Sequence, residues 1–173
     1  MPELRVVFTE TRIRDRVAGM AREIDAVYGE EPLVAVCVLK GAVHFFSDLT
    51  RHLRNPALEL DFVRLSSYGG GTVSSRHVTF SKDVDCDVRG KHVLIVEDVV
   101  DSGHSIRFLV AQFQARGAAS LRIAALIDKK ERREIMVDVD FVGFHLERGY
   151  VVGYGMDCAE RYRALPAVYE LLS

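Results

Sequence analysis

The sequence predicts an α/β fold built on a largely parallel sheet, and three observations lead there. Val-rich apolar runs at 33–39, 92–97 and 121–127 are those of strands buried on both faces. Between them lie stretches whose apolar residues recur every three to four positions, the period of an amphipathic helix. Three of the strand-like runs end in charged groups, Lys40-Gly41, Glu97-Asp98-x-x-Asp101 and Lys129, where an open parallel sheet presents ligands.

Residues 11–28 carry Ile13, Val17, Ala21, Ile24 and Val27 on one helical stripe, with Thr11 as the expected cap and Gly29 at the C′ position. LVAVCVLK follows as a buried strand, then a second helical pattern through Val43, Phe46, Leu49 and Leu53. At 58–65, Leu58, Leu60 and Phe62 alternate with Glu59 and Asp61, which is strand periodicity. SSYGGGTVSSRH (66–77) reads either as a hairpin loop or as a flexible active-site lid, with Ser67 and Tyr68 at its base. A strand near 78–81 leads through the acidic turn DVDCDVRGK to the strand at 92–97. A helix is expected over 105–116, with Ile106, Leu109, Val110 and Phe113 inward and Gly117 as its stop. LRIAALI (121–127) ends at Asp128-Lys129-Lys130, and two short runs at 139–144 and 150–156 close the chain. Neither an internal repeat nor a linker interrupts the pattern, so one domain is expected over 1–173.

Composition narrows the function classes. With 173 residues, 49% hydrophobic and 28% charged, the chain can bury a core without disulfides. A formal net charge of −2 argues against a dedicated nucleic-acid binder. Cys37, Cys86 and Cys158 lie far apart without CxxC spacing, as reduced thiols of a cytoplasmic protein do. The start MPELRVVFTE has no leader pattern, and the longest apolar run, Leu33–Leu39, is too short to span a bilayer, so no membrane association is expected. The six histidines have no ligand spacing for zinc.

The densest chemistry lies in VLIVEDVVDSGHS (93–105). Ser102-Gly103-His104-Ser105 opens directly onto a helix, whose first amides and nearby hydroxyls suit a phosphate. Neither the Walker nor the Rossmann glycine pattern is present, and the plain alternative is that Ser102 or Ser105 caps the helix. Glu97 and Asp98 suit vicinal hydroxyls or the water shell of a hard cation such as Mg²⁺. Three carboxylates beside a phosphate repel it unless a cation or hydroxyl lies between. A phosphorylated ribose carrying a diphosphate meets both demands.

VEDVVDSGHS resembles the 5-phosphoribosyl-1-diphosphate (PRPP) motif of the type I phosphoribosyltransferases. LKGA (39–42), SSYG (66–69), LIDKKERR (126–133) and DFVGF…YVVGYGMDCAERYR (140–163) resemble the hypoxanthine-guanine branch in its short bacterial form. The resemblance implies a mostly parallel twisted sheet flanked by helices, with a small hood from the chain ends. It implies transfer of phosphoribose from PRPP to N9 of hypoxanthine or guanine, giving IMP or GMP and diphosphate. Glu97 and Asp98 would then hold the ribose hydroxyls and Mg²⁺, and Asp101 would be the general base for purine N7. Ser102, Gly103, His104 and Ser105 would hold the 5′-phosphate. Lys40, Gly41 and Arg163 would meet the diphosphate, in a loop where this family uses a non-proline cis peptide. Lys129 would donate to the 6-oxo group, Tyr150 would stack on the base and Val151 would meet its edge. Asp157 would lie beside the purine and help hold a second Mg²⁺. A cytoplasmic homo-oligomer, dimer or tetramer, is also implied.

Ser102 and Ser105 stand where threonine is common in the family, Tyr150 where phenylalanine is frequent, and His145 where an acid is frequent. His145 receives no role, His104 is expected to face solvent, and Cys158 is read as a small filler. Two other readings fit the sequence less well. A regulatory PRPP sensor that binds nucleic acid would lose base or diphosphate residues, whereas Lys40, Asp101, Lys129, Asp157 and Arg163 are all present. A phosphoaccepting receiver would begin with an acid-tipped strand, whereas a helix is expected first here.

Overall fold

Strands that are apolar on both faces need a helical layer on each side, and the fold supplies one. The computed structural model describes residues 3–68 and 77–172. In chain order these form β1 (Glu3–Phe8), α1 (Glu10–Tyr28), β2 (Leu33–Leu39), α2 (Val43–His52), β3 (Leu58–Tyr68) and β4 (His77–Lys82). They continue as β5 (His92–Val100), α3 (His104–Ala115), β6 (Ser120–Lys129), β7 (Phe141–Leu146), β8 (Val151–Val152) and β9 (Val168–Leu172). The main sheet has the order β4-β3-β2-β5-β6-β7, with β3, β2, β5, β6 and β7 parallel and β4 antiparallel at one edge.

Alternation along the central strands feeds two cores. Ala35, Cys37, Leu94, Val96, Ala124 and Leu126 face α1 and α2, packing with Ile13, Met20, Ile24, Phe45 and Leu49. Val34, Val36, Val93, Ile95, Ile123 and Ala125 face the other way, against Ile106, Leu109 and Phe113 of α3. A smaller sheet, β1-β9-β8, joins the two chain ends, and Phe8 at the end of β1 stacks on Phe144 of β7 with centroids 4.1 Å apart. This is the expected α/β sheet with a hood.

Several local expectations need correction. Thr9, not Thr11, caps α1, its hydroxyl accepting the Arg12 amide at 3.3 Å. The chain opens with a strand rather than a helix; β1 pairs with β9 in the hood and not in the main sheet. In α2 it is Phe45, with Phe46 and Leu49, that is buried, while Val43 is exposed. Burial along β3 departs from simple alternation: Leu58 and Phe62 pack against the core on the α1/α2 side, but Leu60 is 51% exposed and Asp61 only 5%. Asp61 earns its burial by accepting amides of Asp85 (2.8 Å), Cys86 (2.9 Å) and Phe62 (2.7 Å), which ties the acidic turn to the sheet. Of the stretch 66–77, residues 66–68 belong to β3 and His77 to β4, and the expected lid otherwise lies outside the described residues.

Burial raises the Asp61 carboxyl, but the hydrogen bonds from Cys86, Phe62 and Asp85 outweigh it and hold the group below its ordinary value. Asp61→Ala should therefore cost about 2 kcal/mol in urea unfolding at neutral pH, because three amides lose their acceptor. A depressed folded-state pKa gives stability that is fully present above the unfolded value of about 4 and is lost as pH falls from there through the lower folded value. The variant should accordingly show a shallower loss of stability below about pH 4; wild-type stability and acid sensitivity in the variant would refute this role.

Candidate active site

Strand order reverses between β2 and β5: the chain leaves β2 toward β3 on one side and leaves β5 toward β6 on the other. Such a switch point opens a crevice at the carboxyl ends of the strands. Lys40 and Gly41 follow β2, the acids lie near the end of β5, and Lys129 is the last residue of β6. The Leu39–Lys40 peptide is cis. A Cβ on Gly41 would lie 1.9 Å from Asp98 Oδ2, so only glycine lets this loop rest against the carboxylate. The Gly41 carbonyl in turn lies 2.0 Å from where a Cβ of Gly155 would be, which brings the hood segment down onto the same loop.

Both β5 and β6 run further than the sequence suggests, to Val100 and Lys129, so Glu97 and Asp98 sit within a strand and not at its tip. Neighbouring residues of a strand point to opposite sides, and the two acids line different cavities. Glu97 lines one of about 120 Å³, together with Asp101, Ser102, Gly103 and Ser105. Asp98 lines another of about 180 Å³, with Asp101, Lys129, Tyr150, Val151 and Asp157. Asp101 belongs to both. Its Oδ1 is buried, and no donor among the described residues reaches it. A larger cavity of about 470 Å³ lies elsewhere, between α1, α2 and Ala164–Pro166, and none of the expected site residues lines it.

The start of α3 carries no side-chain cap; Gly103 occupies the N-cap with φ +90°, so neither Ser102 nor Ser105 acts as the plain alternative supposed. The first amides of the helix are left for an anion. A Cβ on Gly103 would sit 2.5 Å from the Ile135 carbonyl, so glycine is needed for space as well as for φ. His104 does not line the small cavity and does not face open solvent; its Nε2 lies 2.6 Å from Glu134 Oε2.

Charge is arranged in two groups. Burial, then the adjacent Asp98 carboxylate, holds the Glu97 carboxyl well above its ordinary range. The same two acids add to the burial of Cys37, whose thiol is pushed up to about 12 and stays protonated. Such an acid pair favours a cation. Among the described residues no cluster of three or more His, Cys, Asp or Glu side chains could hold a metal. Two carboxylates do fit Mg²⁺, which takes one or two from the protein and fills its shell with water and ligand oxygens.

The cationic group lies on the hood side. Lys40 Nζ is 2.8 Å from Glu160 Oε2, and Arg163 Nη2 is 2.8 Å from Asp157 Oδ1 and 3.2 Å from Glu160 Oε1. Arg163 also donates to the Gly155 carbonyl at 2.8 Å, while its buried Nε has no acceptor among the described residues. Glu160, bonded first by Lys40 and then by Arg163, is held below the usual carboxylate range. The sequence reading missed this residue: its partner Lys40 lies 120 positions away. The phenol of Tyr150 donates to the Asp157 carbonyl at 2.8 Å, and Lys129 Nζ is 3.2 Å from Glu131 Oε2. Arg133, also missed, lies buried beneath Asp101 and Lys129, its Nε donating to the Asp101 carbonyl at 2.8 Å.

Residues 8–159 match the family model of the phosphoribosyl transferase domain. A hypoxanthine-guanine phosphoribosyltransferase of Bacillus subtilis is 43% identical over 173 residues, covering 96% of each chain. A hypoxanthine phosphoribosyltransferase of Salmonella typhimurium is 43% identical over 167 residues, covering 95% of this chain and 93% of its own. Among solved structures, a hypoxanthine-guanine phosphoribosyltransferase of Bacillus anthracis superposes with a TM-score of 0.93 at 36% identity, covering 98% of this chain and 100% of that one.

Gly41→Ala should fold, since Gly41 does not have the positive φ of the left-handed region. Its methyl group should push the Asp98 carboxylate by at least about 1 Å, the shortfall from an ordinary contact. A crystal structure of the variant reads this directly, and an unmoved Asp98 would contradict the packing described.

Proposed function

This chain belongs to the phosphoribosyl transferase family, and we propose that it transfers the 5-phosphoribosyl group of PRPP to N9 of hypoxanthine and guanine, giving IMP and GMP with release of diphosphate. The observation that carries this reading is Asp101. It lines both the small cavity at the helix start and the cavity beside Lys129 and Tyr150, and no donor among the described residues reaches its buried Oδ1. A buried acceptor without a partner is one that a ligand is expected to satisfy.

The 5′-phosphate lies on the amides and hydroxyls of 102–105, within the field of the α3 N-terminus. Glu97 and Asp98 take the ribose hydroxyls and one Mg²⁺, and Asp157 contributes to a second. Bound Mg²⁺ would neutralise charge on the diphosphate as it leaves. The diphosphate meets the Lys40-Gly41 loop and Arg163, displacing the Glu160 carboxylate that bonds both cations in the structure. Lys129 donates to the 6-oxo group, Tyr150 stacks on the ring and Val151 presents its backbone to the edge. As N9 attacks the anomeric carbon, Asp101 Oδ1 accepts the N7 proton. Cationic side chains fixed before reaction stabilise the leaving group without reorganising. Lysine at 129 selects 6-oxo purines, because the 6-amino group of adenine would set donor against donor.

Both cores share the one six-stranded sheet, which supports a single phosphoribosyltransferase domain over 1–173. Among the described residues no helix is long and apolar enough to cross a membrane, and the three cysteines are free. These features suit a cytoplasmic enzyme, which we place in a homo-oligomer, dimer or tetramer, as the family resemblance implies.

Purified protein with PRPP and Mg²⁺ should form nucleotide from hypoxanthine or guanine and turn adenine over at least about 10³-fold less efficiently. Absence of turnover with every 6-oxo purine would overturn the reading. Asp101→Asn should cut kcat by about 10²- to 10⁴-fold while changing the KM for PRPP little; equal losses in both would argue against the base role. Glu160→Gln removes the competitor for Lys40 and Arg163, so the KM for PRPP should fall about two- to fivefold; a rise would show that Glu160 assists binding instead.

A further inference from the structure

Asp101 and Lys129 must be held at a fixed separation if one takes the N7 proton while the other meets the 6-oxo group of the same ring. The sheet does not do this. The last register pair between β5 and β6 is Val100 with Asp128, so Asp101 and Lys129 lie one step beyond the shared ladder. Arg133 spans that gap. Its side chain is only 9% exposed; Nε donates to the Asp101 carbonyl at 2.8 Å, and Nη2 donates to the carbonyls of Val100 (3.0 Å) and Lys129 (3.1 Å). The same Nη2 pairs with Asp128 Oδ1 at 2.5 Å, and His145 Nδ1 lies 3.4 Å from the other oxygen of that carboxylate.

We propose that Arg133 is a positioning residue, which replaces the missing ladder bonds and sets the backbone of Asp101 against that of Lys129. The inference rests on the roles given to Asp101 and Lys129 above. A planar guanidinium fixes several acceptors at once; an ammonium on a flexible stem does not. Asp128 orients the guanidinium, which gives the Asp128–His145 contact a place in the site. The phosphate loop is held separately: the amides of Glu134 and Ile135 donate to the Ser102 carbonyl at 3.1 and 3.0 Å. Loss of the Arg133 fork therefore separates purine chemistry from PRPP binding, whereas a merely structural role would weaken both or neither.

The test compares wild type, Arg133→Lys and Asp101→Asn, measuring PRPP dissociation by calorimetry with Mg²⁺ and kcat with hypoxanthine. Arg133→Lys should keep the PRPP dissociation constant within about twofold and lower kcat about 10²-fold, the effect of a misplacement near 1 Å. The double variant Asp128→Leu/Arg133→Met, which leaves no unpaired buried charge, should show the same split. Wild-type kcat in these variants, or equal loss of kcat and PRPP affinity, would overturn the proposal. Full activity in Asp101→Asn would instead overturn the base assignment on which it rests.

Discussion

Adjacent parallel strands whose crossovers leave in opposite directions cannot be covered at their carboxyl ends by either connection, and β2 and β5 are such a pair. The crevice between them is where the backbone of Gly41 meets the carboxylate of Asp98 and where Gly155 meets Gly41. Each contact is closer than any side chain permits. The sheet supplies the opening, and glycine lets three separate segments close around it.

Charge organises what the backbone leaves open. Glu97 is buried beside Asp98, an arrangement that raises its proton affinity and favours a cation. On the far side Lys40 and Arg163 share Glu160, a carboxylate standing where an anionic ligand is proposed to bind. Asp101 lines both cavities, and no donor among the described residues reaches its buried Oδ1. An acid pair, a cation pair and a single unsatisfied acceptor together suit a ligand bearing hydroxyls, phosphates and a ring N–H.

The two-sided hydrophobicity of β2, β5 and β6 is local in the sequence, and the layer order follows from it. The burial of Asp61 in β3 was not legible, because the amides of Asp85 and Cys86 that satisfy it lie more than twenty residues away. β1 and β9 escaped notice because their pairing joins the two ends of the chain. Glu97, Asp98, Asp101 and Gly103 were legible, since they fall in one short run. Arg133 and Glu160 were not, because their significance lies in partners 32 and 120 positions away. The bland reading of Ser102 and Ser105 as helix caps could be tested only by geometry, which places Gly103 at the cap.

The central claim is that a phosphate half and a purine half of one ligand meet at Asp101. A crystal structure with bound IMP tests it most directly. The account predicts the 5′-phosphate on the 102–105 amides, N7 within hydrogen-bond reach of Asp101 Oδ1, and the 6-oxo group on Lys129. Nucleotide bound with its ring away from Asp101, or in the cavity between α1 and α2, would contradict it.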